Sequence, residues 1–175
     1  TQFLDLVALL NGGPNNIAEM DKPYKPGSGD GSDAVFNNDF FGGDLAGIID
    51  KLDYIRDLGA NTIYMTPVFR AASNHKYDTA DYKTIDHGFG SNADFERLTR
   101  EAAKRGIRVI PDASLNHSGA DSIYFDRYGN FGGQGAFANS RINPASPYAS
   151  WYTLDATQPN PDKQFKGWVG VTDLP

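Results

Sequence analysis

Leu45, Ile48, Ile49, Leu52, Ile55 and Leu58 recur at steps of three and four residues, a spacing that sets them on one face of an α-helix. Asp44 stands before this stripe as an N-cap, and Gly59 follows it as a stop. A second stripe, Phe95, Leu98, Ala102 and Ala103, predicts a helix from Asn92 to Arg105. Ser91 with Asp94 three residues on is a capping-box variant at its start, and Gly106 ends it. Short apolar runs flank these helices. Gln2 to Leu10 predicts a buried strand, with a helical turn as the competing reading, and Asn61 to Met65 and Ile107 to Ile110 predict two more.

Strands that alternate with amphipathic helices form parallel βαβ units with right-handed crossovers. Three strands and two helices in this order fit part of a (β/α)8 barrel or of a doubly wound sheet. Two long segments interrupt the pattern: residues 11–43, rich in Gly, Asn, Asp and Pro, and residues 66–90, which hold His75, Tyr77, Asp78, Asp81, Tyr82 and Asp86. Loops of that length in a small domain are commonly functional or held by a ligand. After His117 the alternation stops. Residues 118–175 carry Gly, Asn, Pro, Tyr and Trp without a helical stripe. They predict an irregular excursion with short strands, one of them near Gln164 to Val171. The division expected is therefore 1–117 for the α/β part and 118–175 for the excursion.

The 175 residues suit one domain. A net charge of −6 without a basic run argues against nucleic acid and against anionic membrane surfaces. The absence of cysteine removes disulfides, zinc–thiolate sites and thiol catalysis. No stretch is apolar and long enough to span a membrane, and no signal peptide opens the chain. Thr1 in place of Met reads as a mature, trimmed or excised chain.

Candidate chemistry gathers where the third strand ends, at Asp112-Ala-Ser-Leu-Asn-His117. Strand ends of a parallel α/β sheet line the active-site face. A carboxylate, an amide and an imidazole there point to ligand binding, against the plainer reading of a turn cap and a surface histidine. Tyr77 offers a flat apolar face with a wet hydroxyl, whereas Tyr82 is read as packing. Asn11, Asn15, Asn16 and Asp44 are hard oxygen donors, and Gly42 adds a carbonyl, which suits calcium. Turn chemistry alone also explains these residues. His75, Asp78, His87, Asp112 and His117 match no compact transition-metal motif. No G-x-S-x-G elbow and no phosphate loop occurs.

Taken in order, several motifs resemble the α-amylase superfamily of glycoside hydrolases (family 13). They are the run from Phe40 to Ile55, Leu58 to Phe69, Asn74-His-Lys-Tyr-Asp-Thr-Ala-Asp-Tyr82, Ile85 to Gly90, and Gly106 to His117. The tail, Asp121 to Gly129 and Gly167 to Pro175, is similar to amylopullulanase and neopullulanase-type members. The resemblance implies the first three strands and two helices of a (β/α)8 (TIM) barrel, with a domain B excursion after the third strand. It implies retaining hydrolysis of α-1,4 and, in pullulanase types, α-1,6 glucosidic bonds by an aspartate nucleophile and a glutamate acid.

By the same resemblance, Tyr77 stacks under a sugar, His117 bonds its primary hydroxyl, and Asp112 orients neighbouring groups, chiefly an arginine. Asn116 matches a calcium-ligating position, and Asn11, Asn15, Asn16, Gly42 and Asp44 line up with a second calcium loop of some relatives. Gly13 stands where the family pattern has an aspartate. The partners implied are an α-glucan oligosaccharide or polysaccharide and the remainder of a catalytic domain, in an exported or cell-surface bacterial protein. The family's nucleophile, acid/base and third carboxylate motifs do not occur in these residues, so no catalytic residue is assigned and the chain alone is expected to be inactive. Two rival readings stand beside this one: a non-catalytic glucan-binding or scaffold module, and a small metal-dependent hydrolase using His75, His117 and Asp112.

Overall fold

The structure, a computed structural model, describes residues 43–170 and 174–175. The strand expected over Gln2 to Leu10 and the loop up to Gly42 lie outside the described residues. The described chain packs as two units, one formed by 43–68 with 84–112 and the other by 69–83 with 113–170 and 174–175.

In the first unit the expected helix is two short ones, α1 (Leu45–Asp50) and α2 (Leu52–Asp57). Asp44 caps α1 as anticipated, its carboxylate accepting from the Gly47 N–H at 2.7 Å. The break falls at Lys51, whose N–H returns to the Ile48 carbonyl three residues back (3.1 Å), the tighter geometry with which helices end. The apolar stripe nevertheless stays in register across the break. Leu45, Ile48, Ile49, Leu52 and Ile55 are buried, while Leu58 is 67% exposed and does not belong to the core.

Strand β1 (Thr62–Met65) lies parallel to β4 (Arg108–Pro111), with Ile63 opposite Val109 and Tyr64 opposite Ile110. The parallel expectation holds, and the later strand is offset by one residue from Ile107–Ile110. Between them runs α3 (Asn92–Lys104). Ser91 and Asp94 form the full capping box, each side chain accepting from the other's backbone N–H. That box holds the Asp94 carboxyl below the usual range, chiefly through the Ser91 hydroxyl. Leu98 and Ala102 supply the buried face of α3, whereas Phe95 is only half-buried and Ala103 is exposed. α3 packs on α1 and on β4. Gly106 follows at φ 71°, a left-handed turn that glycine takes without a Cβ penalty.

The region read as a loop over 66–90 contains a second sheet, β2 (Phe69–Ala71) with β3 (Thr79–Ile85). Alternation across Thr79 to Ile85 is broken by consecutive polar residues, which hid the strand from a period-two reading.

From 118 onward the described residues are irregular as expected, but among them no strand runs over 164–170. Phe165 makes a single antiparallel bridge to Leu154, and Trp168–Gly170 is a 3₁₀ turn. Order comes instead from an aromatic core in which Phe125, Phe137 and Phe165 pack with Ala120 and Ala136, while Tyr148 and Tyr152 close over it. Asp126 is fully buried beside this core. Its carboxylate accepts from the N–H groups of Phe131 (2.9 Å) and Gly133 (2.7 Å), which satisfies the charge where water cannot.

Candidate functional site

Within the second unit the chain leaves a cleft of about 750 Å³, a size suited to small-molecule ligands. Its walls carry both tryptophans of the sequence, Trp151 and Trp168, together with Tyr82, Tyr124, Asn116 and His117.

His117 is fixed from three sides. Nε2 lies 3.1 Å from the Tyr77 carbonyl, which only accepts, so the ring donates there. Nδ1 lies 2.9 Å from Oδ1 of Asn116. Trp168 stacks on the ring face, with centroids 4.9 Å apart and planes 23° apart. Burial lowers the His117 pKa below its ordinary 6.5; the Tyr77 carbonyl and the Asp78 charge offset this only in part.

A lowered histidine pKa gives stability that is full above the unfolded value and is lost as pH falls through the folded one. The second unit is thus expected to melt at lower temperature at pH 5 than at pH 8, with the change beginning near 6.5. His117→Gln should flatten that part of the profile. Identical pH profiles for the two proteins would refute the assignment.

Tyr77 meets His117 through its backbone. Its ring is 38% exposed and lies near-parallel to His75, with centroids 5.9 Å apart. The Tyr77 N–H donates to Nδ1 of His75 (3.1 Å). The loop that carries both is tied down at Ser73, whose hydroxyl donates to the Asp78 carboxylate. It is also tied at Lys76, which is 2% exposed, with Nζ donating to the Ala71 carbonyl at 3.0 Å.

Tyr82, expected to pack, has a role that is structural in part. The hydroxyl reaches the carbonyls of Ser114 and of His117 (2.7 Å), which pins the segment that presents His117. Burial raises its pKa. The ring also lines the cleft. Tyr152 closes the cleft from the core side; its hydroxyl is 2.7 Å from that of Ser118, and burial pushes its pKa up to about 12. It stays a neutral phenol at any working pH.

Asp112 belongs to the first unit, at the end of β4. Its N–H donates to the Met65 carbonyl at 2.9 Å. A hydrogen bond to the Asp112 carboxylate holds the Tyr64 phenol above its usual range. Of the residues expected to bind calcium, Asn11, Asn15, Asn16 and Gly42 lie outside the described residues. Asp44 has Oδ1 on the Gly47 N–H, and Asn116 has Oδ1 on the His117 ring. Among the described residues no group of three or more His, Asp or Glu side chains is placed to hold a metal ion.

Trp151, Trp168 and Tyr124 received no role from the sequence. The only signal available was the density of aromatic residues after His117, which does not tell core rings from cleft rings.

Comparison with known proteins gives this cleft a context. An amylopullulanase of Thermoanaerobacterium saccharolyticum is 46% identical over 158 residues, which is 89% of this chain and 12% of that protein. Among solved structures, the ligand-free cyclic alpha-maltosyl-(1→6)-maltose hydrolase from Arthrobacter globiformis superposes with a TM-score of 0.67 at 34% identity, covering 94% of this chain and 34% of that one. The same hydrolase in complex with maltose gives 0.63 at 38% identity, over 78% and 29% of the two chains. The chain thus spans about an eighth of the amylopullulanase and a third of the hydrolase. Residues 18–169 match the alpha amylase catalytic domain, and on that match the chain belongs to the alpha-amylase family.

Proposed function

We propose that this chain is part of the catalytic domain of a retaining glycoside hydrolase acting on α-glucans such as starch or pullulan. In this reading residues 1–117 form the first three strands and two helices of a (β/α)8 barrel, and 118–175 form the domain B excursion. The observation that carries it is the 46% identity to an amylopullulanase over most of the chain. The aromatic cleft supports it, because pyranose rings present flat C–H faces that stack on indole and phenol. A relative whose structure holds maltose points to the same substrate class.

The roles follow the chemistry of each group. Tyr77, with its ring partly open to solvent, is the stacking floor for one sugar. The His117 ring exchanges its Tyr77 carbonyl contact for a sugar hydroxyl, one hydrogen bond for another. Asp112 orients charged neighbours from the end of β4. The nucleophile and the acid that retaining hydrolysis needs come from the rest of the catalytic domain. No step is routed through calcium, since the described members of the expected ligand set, Asp44 and Asn116, are engaged by their own neighbours.

The test is a chimaera in which residues 43–170 replace the matching segment of the T. saccharolyticum amylopullulanase. Hydrolysis of soluble starch or pullulan, measured as reducing ends, is expected to survive. The 175-residue chain by itself is expected to show no turnover, since loss of general acid catalysis alone costs roughly 10²–10⁴-fold. A folded chimaera inactive on both substrates, or amylase-like rates from the chain alone, would overturn the reading.

A further inference from the structure

Among the described residues Lys76 is the only lysine or arginine that is buried. An ammonium group loses its water there and needs acceptors in return. The residue also stands at φ 61°, in the left-handed region that side chains other than glycine rarely take. Neither feature helps stability by itself, and both fall on the residue before Tyr77. Such strain persists where its surroundings hold it and where the conformation serves a site. Because Lys76 is already closed off inside the second unit, further chain packed around that unit would leave it buried.

Three groups of Lys76 bond in three directions. Nζ donates to the Ala71 carbonyl at the end of β2 (3.0 Å), and the N–H donates to the Ser73 hydroxyl (3.2 Å). The carbonyl accepts from the Thr79 hydroxyl at the start of β3 (3.2 Å). Ser73 and Thr79 are buried with it. The lysine side chain thus closes the turn from Ala71 to Lys76, and Tyr77 leaves that turn with its backbone held on both sides. Its N–H donates to Nδ1 of His75 (3.1 Å), and its carbonyl accepts from Nε2 of His117 (3.1 Å). We infer that Lys76 is a positioning residue for sugar binding: its ammonium closes the turn that sets the Tyr77 backbone between His75 and His117. It acts through Tyr77 and His117 and meets no sugar itself. This rests on the glucan reading above and adds to it a residue remote from the ligand.

The sequence holds three histidines, which makes the test direct. The full chain is followed by NMR of its imidazole nitrogens at about pH 8, above the ordinary imidazole range. His75 and His117 are expected as the single tautomer protonated at Nε2, since Nδ1 of the first accepts and Nε2 of the second donates. His87, in the first unit, is the reference. Lys76→Met keeps most of the stem and removes the donors. A side chain that served packing alone would be replaced by it at little cost. Instead both rings should move toward a mixture of tautomers, with His87 unchanged. Maltose binding, followed in the same spectra, should weaken about tenfold, the worth of one displaced contact. Lys76→Arg should restore part of both. Gly132→Ala, which strains the same unit outside this turn, should leave the rings as they are. Mixed tautomers in the unaltered chain would overturn the proposal without any variant having to fold. So would a folded Lys76→Met with both rings locked, or with its maltose affinity unchanged. Locked rings in a chain that binds no maltose would overturn the glucan reading, and the sugar-binding role with it, while the closed turn itself stood.

Discussion

Phe125→Ala is expected to lower the stability of the second unit by about 3–5 kcal/mol, the cost of removing a fully buried phenyl ring. Phe125 is 0% exposed and stands at the centre of the aromatic core. Three rings meet it: Phe137 at 5.2 Å, Tyr152 at 4.8 Å and Phe165 at 4.9 Å. The cost falls at the high end because the neighbours are held from elsewhere and cannot collapse into the space. The Phe137 N–H donates to the Phe125 carbonyl at 2.9 Å, and the Tyr152 hydroxyl is bonded to Ser118. Since Tyr152 also lines the cleft, the loss should be visible in the tryptophan emission as well. Urea unfolding followed by emission checks this. A midpoint within experimental scatter of the parent would show that the aromatic core does not hold the unit together.

Gly135→Ala is expected to cost about 3 kcal/mol or more, through overpacking rather than loss of contact. A Cβ at Gly135 would lie 2.4 Å from both the carbonyl carbon and the oxygen of Phe125 and 2.5 Å from Cβ of Asp126. Backbone atoms cannot swing aside as a side-chain tip does. The hydrogen bond from the Phe137 N–H to the Phe125 carbonyl would have to open, and with it the setting of Asp126. Gly132→Ala is the control. It has open space around its Cβ position but a φ of 77°, so it should cost only about 1–2 kcal/mol of left-handed strain. Equal unfolding midpoints for the two variants would mean that close approach at Gly135 is not what limits the residue there.

Both predictions fall in the segment where hydrophobic periodicity is silent. The rings of Phe125, Phe137 and Phe165 pack without helix or strand, so neither a 3.6-residue nor a 2-residue period marks them. The candidate site was legible only in part for the same reason. Tyr77 and His117 stood out as chemistry on loops, and they do meet, but through the Tyr77 carbonyl, which a sequence cannot display. The sequence marks Tyr82 only as packing, yet its ring lines the cleft while its hydroxyl pins the segment bearing His117. Trp151 and Trp168 carried no mark that separates a cleft ring from a core ring.

What the residues determine unaided is local. Asp44 and Ser91 start helices because their side-chain oxygens satisfy N–H groups three residues away. Gly106 ends one because the turn there needs a positive φ. The apolar runs of β1 and β4 pair in parallel because a helix is interposed between them. The cleft was decided by the tertiary structure alone. Its defining contacts join residues 40 apart, as in His117 with Tyr77, or 35 apart, as in Tyr82 with the His117 carbonyl. Contacts at such separations depend on how the intervening chain turns, and in this irregular unit the turns are set by the packing of aromatic rings.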